Sequence, residues 1–309
     1  SNMETVFFSN SGAEANEAAI KLARLFGHNK GIETPVIIVA EQSFHGRTMA
    51  TLSATGNRKV QAGFEPLLSG FARVPYGDVE AINQVALNDK NVVAIFVEPI
   101  QGEGGIQIPH PEYLNNLRTI TDKQDWLLMV DEVQTGMGRT GAWFAHQHNG
   151  IAPDVMTLAK GLGNGVPIGA CLARDKAAEI LAPGTHGSTF GGNPLVSRAS
   201  LATINAIESD SLIDRATFIG NAIAQGLRTN FSDEASIVDI RNKGLMIGIE
   251  LDRPCVSIVD HALEAGLLLN VTADSVIRLL PPLILDDEQI KFLIVRLTTV
   301  INKFLEESK

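Results

Sequence analysis

Three short, almost wholly apolar runs punctuate the first half of the chain: Pro35-Val-Ile-Ile-Val-Ala40, Asn91-Val-Val-Ala-Ile-Phe-Val97 and Trp126-Leu-Leu-Met-Val130. A strand this apolar has no polar face to give to water, so both faces must be covered by other elements. Amphipathic stretches at residues 14–26 and 111–123 alternate with the runs and supply helices for that covering layer. The alternation predicts an α/β fold with a mostly parallel central sheet. Near residue 208 the pattern changes. A helical run at 199–208 is followed by longer helices and more polar strands, and Gly244-Leu-Met-Ile-Gly-Ile-Glu-Leu251 alternates like a half-buried antiparallel strand. Residues 286–305 read as a closing helix: Asp286 with Gln289 matches a capping box, and Ile290, Leu293, Ile294, Leu297, Ile301 and Phe304 share one face. The expected organisation is a large domain over 1–209 and a smaller α+β domain over 210–309.

Charge and cysteine content narrow the class. With 25 Lys and Arg against 35 Asp and Glu, the net charge of −10 argues against nucleic acid or an anionic membrane as partner. Cys171 and Cys255 are too few for a disulfide framework and have no zinc-site spacing, so they read as core residues in a reducing compartment. No stretch has membrane-spanning length or signal-peptide layout, and a cytoplasmic enzyme is expected. Ser1-Asn2-Met3 reads as a short scar ahead of an initiating methionine.

Chemistry enters at two strand ends. Trp126-Leu-Leu-Met-Val-Asp131-Glu-Val-Gln134-Thr-Gly136 carries an apolar strand into a carboxylate, and Asp154-Val-Met-Thr-Leu-Ala-Lys160-Gly-Leu-Gly163 carries another into a primary amine. Carboxyl ends of strands are where open α/β sheets bind ligands. An acid able to keep a pyridine nitrogen protonated, with an amine able to form an imine, is the pair that pyridoxal phosphate chemistry requires. Ser9-Asn-Ser11-Gly12-Ala13-Glu14 opens the first helix; alone it reads as a plain N-cap, and with the aspartate and lysine downstream it reads as a cradle for that cofactor's phosphate. Ser43-Phe44-His45-Gly46-Arg47 follows a strand and offers an aromatic for stacking and an arginine for a carboxylate. Glu98 ends a strand and leads into Gln101-Gly-Glu103-Gly-Gly105, a loop of the kind pressed against a ligand or folded into tight turns. Gly161-Leu-Gly163-Asn-Gly165 mimics a dinucleotide fingerprint, but Val166-Pro-Ile-Gly-Ala-Cys-Leu-Ala173 after it reads as a strand where a helix is required. The absence of any Gly-Lys pair excludes a Walker A loop, and His146 and His148 lack a companion acid at metal-site spacing.

Taken in order, Ser9 to Asn16, Ser43 to Arg47, Glu98-Pro-Ile-Gln-Gly-Glu103, Asp131-Glu-Val-Gln134, Lys160 and Gly187-Ser-Thr-Phe-Gly-Gly-Asn-Pro194 resemble the class III (subgroup II) aminotransferases of PLP fold type I over essentially the whole chain. The resemblance implies that Lys160 is the Schiff-base lysine and Asp131 the partner of the pyridine nitrogen. It places Gln134 on the phenolic-oxygen side of the ring, Ser11, Gly12 and Ala13 on the phosphate, and Phe44 over the ring face, with His45 also among the cofactor-binding residues. Thr189 resembles the threonine that reaches the phosphate of a neighbouring subunit, which implies a homodimer with shared sites. Arg278 resembles the arginine that binds the α-carboxylate of glutamate or 2-oxoglutarate, Glu103 the glutamate that neutralises it, and Arg47 the residue that holds the carboxylate of an ornithine-type donor. The expected reaction is transamination between N-acetylornithine and 2-oxoglutarate, a step of arginine biosynthesis. Ornithine, succinylornithine and 4-aminobutyrate are the sibling donors, and a cofactor-binding protein without catalysis is the alternative from another class. No metal is expected. Members of that family usually carry a further N-terminal stretch ahead of the Ser-Gly-Ala loop, which completes the small domain.

Overall fold

The computed structural model describes residues 1–307. They form two compact units: one made of Ser1–Ile100, Pro109–Met137 and Phe144–Ala206, the other of Gln101–Ile108, Gly138–Trp143 and the chain from Ile207 onward.

The first unit contains β1 (Thr5–Ser9), α1 (Gly12–Asn29), β2 (Val36–Ala40), α2 (Met49–Ala54), α3 (Arg58–Gln61), β3 (Phe71–Val74), α4 (Val79–Asn88), β4 (Val92–Val97), α5 (Tyr113–Gln124), β5 (Leu127–Asp131), β6 (Val155–Leu158), β7 (Gly169–Ala173) and most of α6 (Pro194–Ser209). Its seven strands lie in the order β1-β7-β6-β5-β4-β2-β3. From β3 across to β6 the pairs are parallel, and β7 and β1 close one side antiparallel. Alternation along each strand divides the core. Ile37, Val39, Phe96, Leu127 and Met129 pack with Ala18, Ala19, Leu22 and Phe26 of α1, while Ile38, Ile95, Val97 and Leu128 pack with Ile82, Leu114 and Leu117 of α4 and α5. All six residues of β4 and all five of β5 are buried, the burial that apolar runs demand. The segment read as a strand from Val166 pairs only from Gly169, because the Val166 N–H turns back to the Gly163 carbonyl. Register places Val97 beside Val130 and Asp131 beside Thr157, so the carboxyl ends of β4, β5 and β6 share one edge.

The second unit adds α7 (Leu212–Asn230), β8 (Ile237–Lys243), β9 (Met246–Leu251), α8 (Ile258–Glu264), β10 (Asn270–Thr272), β11 (Val276–Leu279) and α9 (Asp287–Glu307). Its antiparallel sheet runs β10-β11-β9-β8. The capping box is present at the start of α9: the Gln289 N–H donates to Asp286 Oδ1 at 2.7 Å, and the Asp286 N–H to Gln289 Oε1 at 3.0 Å. Ile290, Leu297, Ile301 and Phe304 of α9 join Ile219, Ile223 and Leu227 of α7 over Ile247, Ile249 and Leu251. β9 differs from the half-buried strand expected of it, since only Glu250 escapes full burial. The second face is covered by the Gln101–Ile108 segment, and a Cβ on Gly248 would stand 3.0 Å from that of Ile106. The tight β8–β9 turn needs Gly244, whose φ is +53 and whose Cβ would meet Arg139 and Thr140 backbone within 2.6 Å.

Candidate active site

The edge formed by the ends of β4, β5 and β6 gathers the predicted chemistry of the first unit. Asp131 closes β5 and is only 4% exposed. Its Oδ2 accepts from Asn16 Nδ2 at 2.8 Å and lies 2.8 Å from His45 Nδ1, and its Oδ1 accepts from the Val133 N–H at 3.0 Å. A ring nitrogen this close to a carboxylate carries the proton, so His45 donates through Nδ1. A carboxylate offers about four acceptor positions, and three are filled here. The fourth is free for a protonated pyridine nitrogen. His45 is itself held by stacking on Phe96 (centroids 4.3 Å apart, planes at 22°) and by its N–H on Thr55 Oγ1 at 3.0 Å. Its Nε2 is buried without a partner among the described residues.

Lys160 follows β6, the strand hydrogen-bonded to β5. Its φ of +40 falls in the left-handed region that a lysine seldom adopts, and such positions collect at functional sites. The amine forms no hydrogen bond or ion pair with any described residue. The site therefore presents an uncommitted nucleophilic nitrogen.

At the start of α1, Ser11 caps the helix by accepting from the Glu14 N–H at 3.2 Å. The first helical amides, Gly12 and Ala13, have no carbonyl a turn behind them and carry the positive end of the helix dipole. Glu14 could have spoiled this anion cradle. Instead its Oε2 accepts from the backbone and side chain of Asn10, at 2.8 Å each, which turns the charge away. A side chain at Gly12 would meet Val133 at 2.8 Å, so glycine lets the helix start close against the loop after β5. In that loop Gln134 has a buried Oε1 with no partner among the described residues. Phe44 is half-buried, its N–H donates to Glu98 Oε2 at 3.1 Å, and the exposed Arg47 sits 6.0 Å over its ring with no carboxylate partner among the described residues. Thr189 is exposed and makes no hydrogen bond with the described chain, while its neighbour Ser188 accepts from Asn10 Nδ2 at 3.2 Å.

Arg278 and Glu103 belong to the second unit and pair with each other. Arg278, 7% exposed on β11, donates from NH1 to Glu103 Oε1 at 2.8 Å and from Nε to Asn270 Oδ1 at 3.2 Å. No group of His, Cys, Asp and Glu among the described residues could hold a metal, and His146 instead bonds Glu132 through Nδ1 at 3.0 Å.

A buried acid with one vacant acceptor position, an unpartnered lysine amine and an open helix N-terminus together fit pyridoxal phosphate. The aminotransferase class-III family model matches residues 1–301. The chain belongs to the class-III aminotransferases. It is 57% identical to the acetylornithine aminotransferase of Nitrosomonas europaea, over 99% of this chain and 78% of that one. The ornithine aminotransferase of Toxoplasma gondii, solved with partial occupancy of PLP at its active site, superposes with a TM-score of 0.94 at 36% identity, covering 99% of this chain and 74% of its own. The N-acetylornithine aminotransferase of Stenotrophomonas maltophilia K279a gives 0.84 at 33%, covering 99% and 76%. Class-III aminotransferases are PLP-dependent enzymes, and the chain shares that cofactor.

Sequence reasoning gave no role to Asn16, Glu98 or Glu132. Asn16 was detectable as a lone amide on a helix face otherwise built of Ala15, Ala18, Ala19 and Leu22. Glu132 is a buried carboxylate accepting from Thr135 Oγ1 at 2.5 Å and from the N–H groups of Ala145 and His146 at 2.9 Å, and it anchors the loop that carries Gln134. Its partners lie up to 14 residues away, and no local pattern announces them.

Proposed function

We propose that this chain transfers the δ-amino group of N-acetylornithine to 2-oxoglutarate, giving N-acetylglutamate semialdehyde and glutamate. The observation that carries the reading is the Glu103–Arg278 pair. One substrate reacts through a distal amine and the other through its α-carbon, so the arginine for an α-carboxylate has to be masked for the first and exposed for the second. Opposite charges about 4 Å apart attract by about 4 kcal/mol at an effective dielectric near 20. A dicarboxylate displaces Glu103 and takes Arg278 through two parallel bonds. N-acetylornithine leaves the pair closed and sets its carboxylate on Arg47.

Bound pyridoxal phosphate supplies the electron sink for the bond broken at the amine-bearing carbon. Lys160 would hold the cofactor, and its Nζ, once displaced by the incoming substrate amine, would take the proton from that carbon and hand it on to the cofactor side. Positioned proton transfer of this kind contributes about 10² to 10⁴-fold in rate. Asp131, held by Asn16 and His45, keeps a negative charge against the pyridine nitrogen. Ser11 and the amides of Gly12 and Ala13 bind the phosphate, Phe44 covers the ring, and Gln134 bonds its phenolic-oxygen side. A homodimer with shared sites fits Thr189, which has no hydrogen bond to the described residues, beside Phe190 and Leu195, 69% and 74% exposed. Two buried free cysteines suit a cytoplasmic setting.

Ornithine as donor is the second reading, favoured by the closer backbone match to the Toxoplasma enzyme. The higher identity to the Nitrosomonas enzyme bears on side chains, which select the acyl group. Donor comparison at fixed 2-oxoglutarate separates them. N-acetylornithine should give the highest kcat/KM, and a higher value for ornithine or 4-aminobutyrate would overturn the assignment.

A further inference from the structure

Glu103 sits on a loop held in an unfavourable conformation. Ile106, fully buried, has a φ of +50, where a β-branched residue is a rare outlier, and Gly105 has a φ of +100. Something outside the loop must impose this shape. Arg241 on β8 supplies the restraint: its NH2 donates to the Gly105 carbonyl at 2.6 Å and its Nε to the Ile106 carbonyl at 2.8 Å. The remaining nitrogen, NH1, is fixed by Glu250 Oε2 at 2.6 Å and Asp239 Oδ2 at 3.0 Å, so the guanidinium is oriented from behind. Gly248 gives Ile106 the room it needs from the sheet side. All of these residues belong to the same compact unit as Glu103 and Arg278.

We propose that Arg241 is a specificity-determining positioning residue: by forking two carbonyls of the Glu103 loop it presets the Glu103–Arg278 contact, and so fixes how strongly a dicarboxylate must compete for Arg278. The proposal rests on Glu103 masking Arg278. A rigid fork can grip two adjacent carbonyls while still pairing with acids, which an ammonium cannot reproduce. Arg241→Lys therefore keeps the ion pairs with Asp239 and Glu250 and loses the double grip. Glu103 is then a weaker competitor, and a dicarboxylate binds more tightly.

The test is calorimetric titration of the holoenzyme with glutarate, a dicarboxylate with neither an amine nor a keto group to react. R241K should tighten glutarate about tenfold, equivalent to about 1.4 kcal/mol. E103Q should tighten it at least as much, and the E103Q/R241K double variant should bind no better than E103Q alone. Gly248→Ala, which pushes on Ile106 from the strand position paired with Arg241, should shift glutarate in the same direction and serves if R241K does not fold. Unchanged glutarate affinity in R241K beside a clear shift in E103Q overturns the proposal. So does an R241K shift that persists in full on the E103Q background. If E103Q itself leaves glutarate binding unchanged, the masking reading fails first and takes this inference with it.

Discussion

Replacing Asn16 with alanine tests whether Asp131, the acid proposed to face the cofactor, is held by its surroundings. Asn16 Nδ2 donates to both Asp131 Oδ2 at 2.8 Å and the His45 carbonyl at 2.7 Å, and the residue is buried. A hydrogen bond to a charged group contributes about 1.5–3 kcal/mol net, and one to a neutral carbonyl about 0.5–1.5 kcal/mol. The substitution should therefore destabilise the protein by about 2–4 kcal/mol, which in a unit of this size lowers the melting temperature on the order of 10 °C. A second effect should appear in cofactor binding. With Asp131 kept only by His45 and the Val133 N–H, its carboxylate is no longer fixed, and pyridoxal phosphate should dissociate about tenfold more readily, about 1.4 kcal/mol. Thermal unfolding of cofactor-free protein isolates the first effect, and equilibrium dialysis with pyridoxal phosphate isolates the second. A variant within about 0.5 kcal/mol of the parent, the range of ordinary surface changes, with unaltered cofactor affinity, would refute the argument that Asn16 positions Asp131.

Glu103→Ala should slow the half-reaction with N-acetylornithine more than that with glutamate in single-turnover spectroscopy, and equal losses would count against masking. Burial pushes the Cys171 thiol up to about 12 and Cys255 up to about 11, so neither should react with a thiol reagent at pH 8 until denaturant is added. Lys176 and Lys30 hold the Asp125 carboxylate below its ordinary value. A depressed carboxylate adds stability above its unfolded pKa, near 3.9, and loses it as pH falls through the folded value. Asp125→Asn should thus cost under about 1 kcal/mol at pH 7, as exposed pairs do, and progressively less as the solution is acidified below about pH 4, read as the difference in melting temperature. Ser11→Ala should weaken phosphate-bearing pyridoxal more than pyridoxal itself, measured by competition.

The sheet was legible because its strands are apolar on both faces. Burial on two sides leaves a continuous signal, and the carboxylate that ends β5 stands out against it. The capping box before α9 was legible because both partners lie within one turn. The covered second face of β9 was not, since the covering residue, Ile106, is 142 positions from Gly248 and its φ is invisible to local preference. The same applies to Asp131. Its position at a strand end follows from the apolar run, but Asn16 and His45, 115 and 86 residues away, become its partners only once α1 and the loop after β2 are folded against the sheet. The left-handed backbone of Lys160 likewise has no sequence signature.

The amine of Lys160 is the nitrogen we propose carries the cofactor. Reduction of the holoenzyme with borohydride, digestion and mass mapping decides this directly. A pyridoxyl group on the peptide containing Lys160, lost when N-acetylornithine is added before reduction, is the predicted result. Label on any other lysine, or none on a protein that holds pyridoxal phosphate, would contradict it.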